Sequence, residues 1–165
     1  MQQDLSTSLL FHQETTFISD ATSQDTVFKE IAQKLYQQEL VTADFLENLI
    51  SREANYPTGL DLTVISSHYP NIAIPHTESE FVKTCRIVPV KLNHPITFHN
   101  MIAPDASFEV RFLFMILNDD LGDQAGILAN IMDFLNRTPK DYLMAFFQLE
   151  STESIYQFLA NHFQN

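Results

Sequence analysis

The sequence predicts an α+β fold, an α/β/α sandwich in which a mixed parallel and antiparallel β-sheet is flanked by helices on both faces. Three observations lead there. Helical patterns fill the first and last thirds of the chain with strand patterns between them, so the chain is not a regular βαβ repeat. The stretch Phe108 to Leu117 carries Glu109 and Arg111 on one side at its start but Leu113 and Met115 on that side at its end. A strand exposed on one side and then buried on both is what a central strand covered by helices requires. With only three glycines, the chain has no Gly-rich phosphate loop of the P-loop or dinucleotide type.

The elements follow in order. Thr22-Ser23-Gln24-Asp25 forms a capping box, and Val27, Ile31 and Leu35 follow at helical spacing. A second helix starts after Thr42, turns Phe45, Leu49 and Ile50 to one face, and runs to about Ala54. Tyr56-Pro57-Thr58-Gly59 then breaks it. Between Leu60 and Pro75 the chain is irregular, with Val64-Ile65 and Ile72-Ala73-Ile74 as short extended pieces. Arg86 to Lys91 is a strand, His94-Pro95 a turn, and Phe108, Val110, Phe112, Phe114 and Ile116 share one face of the next strand. Ile127, Leu128, Ile131 and Leu135 make a helical stripe that ends at Asn136-Arg137. Thr138-Pro139-Lys140-Asp141 opens another helix, with proline at its first position. Ile155, Phe158 and Leu159 mark the last one.

A chain of 165 residues without repeat, low-complexity tract or linker reads as a single domain over 1–165. Its longest apolar run, Phe112 to Leu117, is far short of the ~18–20 residues that span a bilayer. The N-terminal stretch MQQDLSTSLLFHQ lacks the basic and apolar regions of a signal peptide, and the lone Cys85 suits a reducing compartment, so a cytoplasmic protein is expected. The net charge of −12 repels phosphate backbones, which argues against nucleic acid as a partner and favours a partner with a basic face. No His-x-x-x-His or clustered Cys/His spacing points to a metal.

One stretch carries candidate chemistry, Asn71-Ile-Ala-Ile-Pro-His-Thr-Glu-Ser-Glu80. Pro75 fixes its own φ and holds Ile74 extended, which places His76 at a strand end with a defined direction. A neutral imidazole there is a nucleophile that titrates near physiological pH, and an arginine would be the natural partner for a phosphate on it. On residue types alone, however, a Pro-His pair is more often a turn with a solvated imidazole. No periodicity joins His76 to Arg52, which stands at the end of the second helix.

The run NIAIPHT, preceded by LISREANYPTGL, resembles the IIA component of the sugar phosphotransferase system (PTS), in its fructose/mannitol-type family. REANYPTG is most similar to the galactitol-like branch, and the likeness extends from Thr22 to Ile155. The resemblance implies the type-2 IIA fold. It also implies a phosphoryl group received on His76 from the phosphocarrier HPr and passed to a cysteine of a IIB component. Sugar or polyol entering through the membrane-embedded IIC would then be phosphorylated, with no cofactor. A monomer is expected. By resemblance, Arg52 steadies the phosphate, Thr58 and Gly59 form the loop before the active-site strand, and Pro75 and Thr77 flank the histidine. Mannitol-type members carry a second histidine where this chain has Gln124, which can donate a hydrogen bond but cannot act as an acid. The segment DLTVISSHYPN is several residues longer than usual, and its His68 is an auxiliary or partner-contacting residue or a solvated loop histidine. His12, His94, His99 and His162 are expected to play no part. The rival functional reading is a regulatory phosphoprotein like nitrogen-type relatives, which binds and controls other proteins.

Overall fold

The computed structural model describes residues 10–120 and 124–163; residues 1–9, on which the absence of a signal peptide was read, lie outside them. Five strands form one sheet in the order β1-β4-β5-β3-β2. They are β1 Phe17–Ser19, β2 Gly59–Leu60, β3 Asn71–Ala73, β4 Arg86–His99 and β5 Ser107–Leu117. β1 runs parallel to β4 and β3 parallel to β5, while the β4–β5 and β2–β3 pairs are antiparallel. The sheet is therefore mixed, and β5 is its central strand.

Helices α1 (Gln24–Gln37) and α2 (Phe45–Asn55) cover one face. Their Phe28, Ile31, Phe45 and Leu49 join Val88, Val90, Leu113 and Met115 of the sheet in one apolar cluster. Helices α3 (Gln124–Arg137), α4 (Lys140–Phe147) and α5 (Thr152–His162) cover the other. There Ile131, Phe134, Phe146 and Leu159 pack on Phe112, Phe114 and Ile116. This second face is rich in aromatic contacts: Phe112 lies 4.9 Å from Phe114, 5.1 Å from Phe146 and 5.8 Å from Phe147, ring centre to ring centre. Burying both sides of β5 is the physical reason its last residues are continuously apolar. No helix among the described residues is long and apolar enough to cross a membrane.

Several sequence expectations need correction. The cap of α1 is Ser23, whose hydroxyl accepts from the Thr26 amide at 3.2 Å, one position later than the box read from Thr22. Val64-Ile65 is not extended, because Leu62–Val64 forms a 3₁₀ turn capped by the Asp61 carboxylate. His94-Pro95 is no turn: β4 continues to His99, with its pairing to β5 interrupted between Lys91 and Ile96. Pro139 is the residue before α4 rather than its first, and the Thr138 hydroxyl bonds back to the Phe134 carbonyl at 2.6 Å instead of capping α4. The short β1 and β2 carried too few residues to show a period.

The most consequential correction concerns β5. Val110 packs with the α1–α2 face, whereas Phe112, Phe114 and Ile116 pack on the opposite one. On the β3 side Val110 pairs with Asn71 and Phe112 with Ile72, so Arg111 is an extra residue, a β-bulge. Alternation read from the sequence assumes an unbroken period of two, and one inserted residue exchanges the faces of everything beyond it.

Candidate active site

The segment that carries His76 leaves β3 with its backbone held on two sides. Ile74 N–H donates to the Thr58 carbonyl at 3.1 Å, and Ile116 N–H donates to the Pro75 carbonyl at 3.0 Å. His76 then pairs alongside Ile116 as a parallel bridge, at the end of the central strand. Its Nδ1 lies 2.9 Å from the Ile74 carbonyl. A carbonyl oxygen only accepts, so Nδ1 carries the proton and Nε2 keeps its lone pair. Beyond the histidine, Glu78 N–H donates to Asn48 Oδ1 at 3.1 Å and Asn48 Nδ2 donates to Glu78 Oε1 at 3.2 Å. Asn48 stands one helical turn before Arg52 on α2, so the loop bearing His76 is tied to the helix that carries the arginine.

Arg52 occupies the last turn of α2, with its guanidinium carbon 4.9 Å from the centre of the Tyr56 ring. Its Nε is buried and has no acceptor among the described residues. Burial holds the His76 pKa below the ordinary imidazole value; the Ile74 carbonyl opposes this, and the Arg52 charge adds to it. The lowering effects prevail and favour a neutral imidazole beside a fixed cation.

Glu53, next to Arg52, turns into the core. Its Oε2 accepts from Thr58 N–H at 2.8 Å and its Oε1 from the Thr58 hydroxyl at 2.7 Å. Burial raises its pKa, opposed by the two Thr58 hydrogen bonds and by the charge of His99. The path from Glu53 through Thr58 to Ile74 fixes the height at which His76 leaves the sheet. Gly59 serves the same framework. A Cβ there would lie 2.5 Å from the His99 carbonyl oxygen and 3.1 Å from the Phe108 ring, so only glycine lets β2 approach the β4–β5 hairpin this closely.

A cavity of about 360 Å³ opens at this end of the sheet, walled by Ile74, His76, Met101, Ile116, Gln124 and Leu128. Gln124 therefore stands in the same cavity as His76. Its Oε1 accepts from Asn118 Nδ2 at 3.1 Å, which directs its amide donors away from Asn118. Of the residues expected from the sequence, His76 and Gln124 line the cavity, Arg52 acts on His76 through its charge, and Pro75 contributes its carbonyl. Thr58 and Gly59 support the floor from below. Thr77 is turned away, its hydroxyl donating to the Glu78 carbonyl at 2.9 Å. His68 lies elsewhere, in a second cavity. Glu53, Asn48 and Met101 were not foreseen. For Glu53 a signal did exist: Phe45, Leu49 and Glu53 recur every four residues, which places a carboxylate on the apolar stripe of α2.

A mixed sheet between two helical layers is also the architecture of solved phosphotransferase-system IIA proteins. IIA mannitol from Escherichia coli superposes with a TM-score of 0.68 at 14% identity, over 90% of this chain and 97% of that one. The nitrogen regulatory protein IIA-Ntr from Neisseria meningitidis gives 0.65 at 20% identity, over 92% and 97%. The complex of enzyme IIA mannitol with phosphorylated enzyme IIB mannitol from Escherichia coli gives 0.64 at 15% identity, over 90% and 95%. A search of curated sequences found no match. The family model described as phosphoenolpyruvate-dependent sugar phosphotransferase system, EIIA 2, matches residues 9–162, and the chain belongs to that family.

Proposed function

We propose that this protein accepts a phosphoryl group from phospho-HPr on Nε2 of His76 and passes it to a cysteine of a IIB component, supporting uptake and phosphorylation of galactitol or a related polyol through IIC. The observation that carries the reading is the tautomer. The Ile74 carbonyl holds the proton on Nδ1 and burial keeps the ring neutral, so Nε2 keeps its lone pair on a ring that lines the cavity. In the first step that pair forms the N–P bond while the bond from phosphorus to its donor atom on HPr breaks, with its electrons leaving on that atom. In the second, the thiolate of IIB forms the S–P bond and the P–Nε2 bond breaks, returning the neutral imidazole. Such a transfer needs in-line approach and charge stabilisation. Arg52, with a buried donor lacking an acceptor, supplies the charge, and the Gln124 amide supplies a neutral donor. Galactitol rests on the REANYPTG loop and on glutamine in place of a second histidine. The structural likeness of a IIA–IIB complex supports IIB as the acceptor.

Likeness to a nitrogen regulatory protein supports the second reading, a phosphoprotein that controls other proteins. The experiment is transfer of label from radioactive phosphoenolpyruvate through enzyme I and HPr, comparing wild type with His76→Ala. Acid-labile, base-stable label on the wild type alone is expected, discharged on adding a IIB component. No label on the folded wild type with HPr demonstrably charged would overturn the phosphoryl-acceptor reading. Label that no IIB discharges would favour regulation.

A further inference from the structure

A second cavity, of about 470 Å³, lies on the same face of the sheet, further back along β5. Arg111 in its wall precedes Ile116 by five residues, about 17 Å along a strand at ~3.4 Å per residue, so this cavity is separate from that of His76. Its walls are the 68–70 loop, Lys91 to Asn93 of β4, Arg111 of β5, and the end of α4 with Gln148.

In a chain with nine Lys and Arg and a net charge of −12, two of those nine cations meet here. His68 adds an imidazole, and no Asp or Glu lines the cavity. Two carboxylates act on lining residues from outside it: Asp141, whose charge acts on Tyr69, and Asp20, which accepts from Asn93 Nδ2 at 2.7 Å. Lys91 gives one of its ammonium protons to the Leu149 carbonyl and keeps two. Arg111 has no hydrogen-bond or ion-pair partner among the described residues. Two irregularities of the chain create this arrangement. The bulge at Arg111 places the guanidinium in the wall beside Lys91, although regular alternation from Phe112 would have turned it to the opposite face. The long segment between β2 and β3 supplies the wall with His68.

We propose that this cavity is a binding site for a small hydroxylated phosphate monoester, a phosphorylated sugar or polyol. The guanidinium fork and the ammonium match the dianionic phosphate, and the Gln148 amide and Asn93 Oδ1 offer a donor and an acceptor for hydroxyl groups. The volume is that of a small-molecule site and too small for a polyanionic chain, which the net charge repels in any case.

The site is tested on the full chain by ¹H–¹⁵N NMR titration with sorbitol 6-phosphate, inorganic phosphate and sorbitol. Sorbitol 6-phosphate is expected to shift resonances of Arg111, Gln148 and the 68–70 loop while leaving His76 in place, and to bind more tightly than either fragment. Arg111→Gln should weaken it by about ten- to a hundredfold, the range for a lost charge-assisted hydrogen bond. The same variant should still take label on His76, which shows that it is folded. Shifts confined to His76 and Arg52, or no saturable shift at millimolar ligand, would overturn the site. Equal affinity for phosphate and sorbitol 6-phosphate would overturn the hydroxylated ligand. Because the readout is binding, failure here and failure of phosphoryl acceptance at His76 remain distinguishable.

Discussion

The two cavities on the α3–α5 face differ in charge. At the His76 end the walls are Ile74, Met101, Ile116 and Leu128, with a glutamine and a neutral imidazole as the polar groups and one guanidinium nearby. Around Arg111, two cations and a histidine share a larger and more polar space. The difference fits the two roles proposed for them. A group that must accept a phosphoryl and release it again is best kept neutral and partly desolvated, since a strongly cationic pocket would hold the phosphate rather than pass it on. A reversible anion site has no such constraint and gains from clustered charge.

The largest expected effect tests whether the two ends are independent. Phe112 is fully buried, pairs with Lys91, follows Arg111 and touches three other phenylalanines. Phe112→Ala should cost about 3–5 kcal/mol in denaturant unfolding. The Arg111 cavity, which shares Phe147 with this cluster, should suffer before the His76 cavity does. If the fraction that stays folded lost both sorbitol 6-phosphate binding and His76 labelling in parallel, the separation of the two ends would be wrong.

Arg52→Gln comes next. Losing a charge-assisted hydrogen bond worth about 1.5–3 kcal/mol should slow His76 phosphorylation about ten- to a hundredfold, at nearly unchanged melting temperature. A parallel loss of melting temperature and activity would make Arg52 a structural residue. The same variant removes the cation that depresses the histidine, so the His76 pKa measured by NMR should move up.

In the wild type that pKa lies below the ordinary 6.5, which has a definite sign for stability. Folding then favours the neutral ring. The contribution is complete above about 6.5 and is lost as pH falls through the folded pKa, because the unfolded chain takes up its proton first. Phosphoryl acceptance should accordingly persist below pH 6.5, where a solvated imidazole would already be protonated. A titration at or above the ordinary value would remove the electrostatic contrast between the two cavities.

The smallest effect is expected for Gln124→His. The fold should be kept and the lifetime of the phosphohistidine altered, because position 124 shares the cavity with His76. An unchanged lifetime would show that side chain to be a bystander.

Much of this molecule was legible in its sequence, and for identifiable reasons. Local sequence signals located the start of α1 and both ends of α2 to within a residue or two, since a cap and a buried stripe mark each helix whatever it packs on. The apolar end of β5 announced a strand covered on both faces. Pro75 determined the extended approach to His76 through a local steric restriction that needs no tertiary contact. Chemistry that depends on bringing distant segments together was not legible. Arg52 and His76 are joined across α2 by Asn48 and Glu78, and the tautomer of His76 depends on where the Ile74 carbonyl points. The bulge at Arg111 reverses the faces of β5 and helps create a second cavity, yet its residues alternate as a regular strand would. Periodicity and local sterics are properties of a segment and survive in one dimension. Hydrogen-bond partners, bulges and the field at a buried imidazole are properties of pairs of segments, and only the packed sheet decided them.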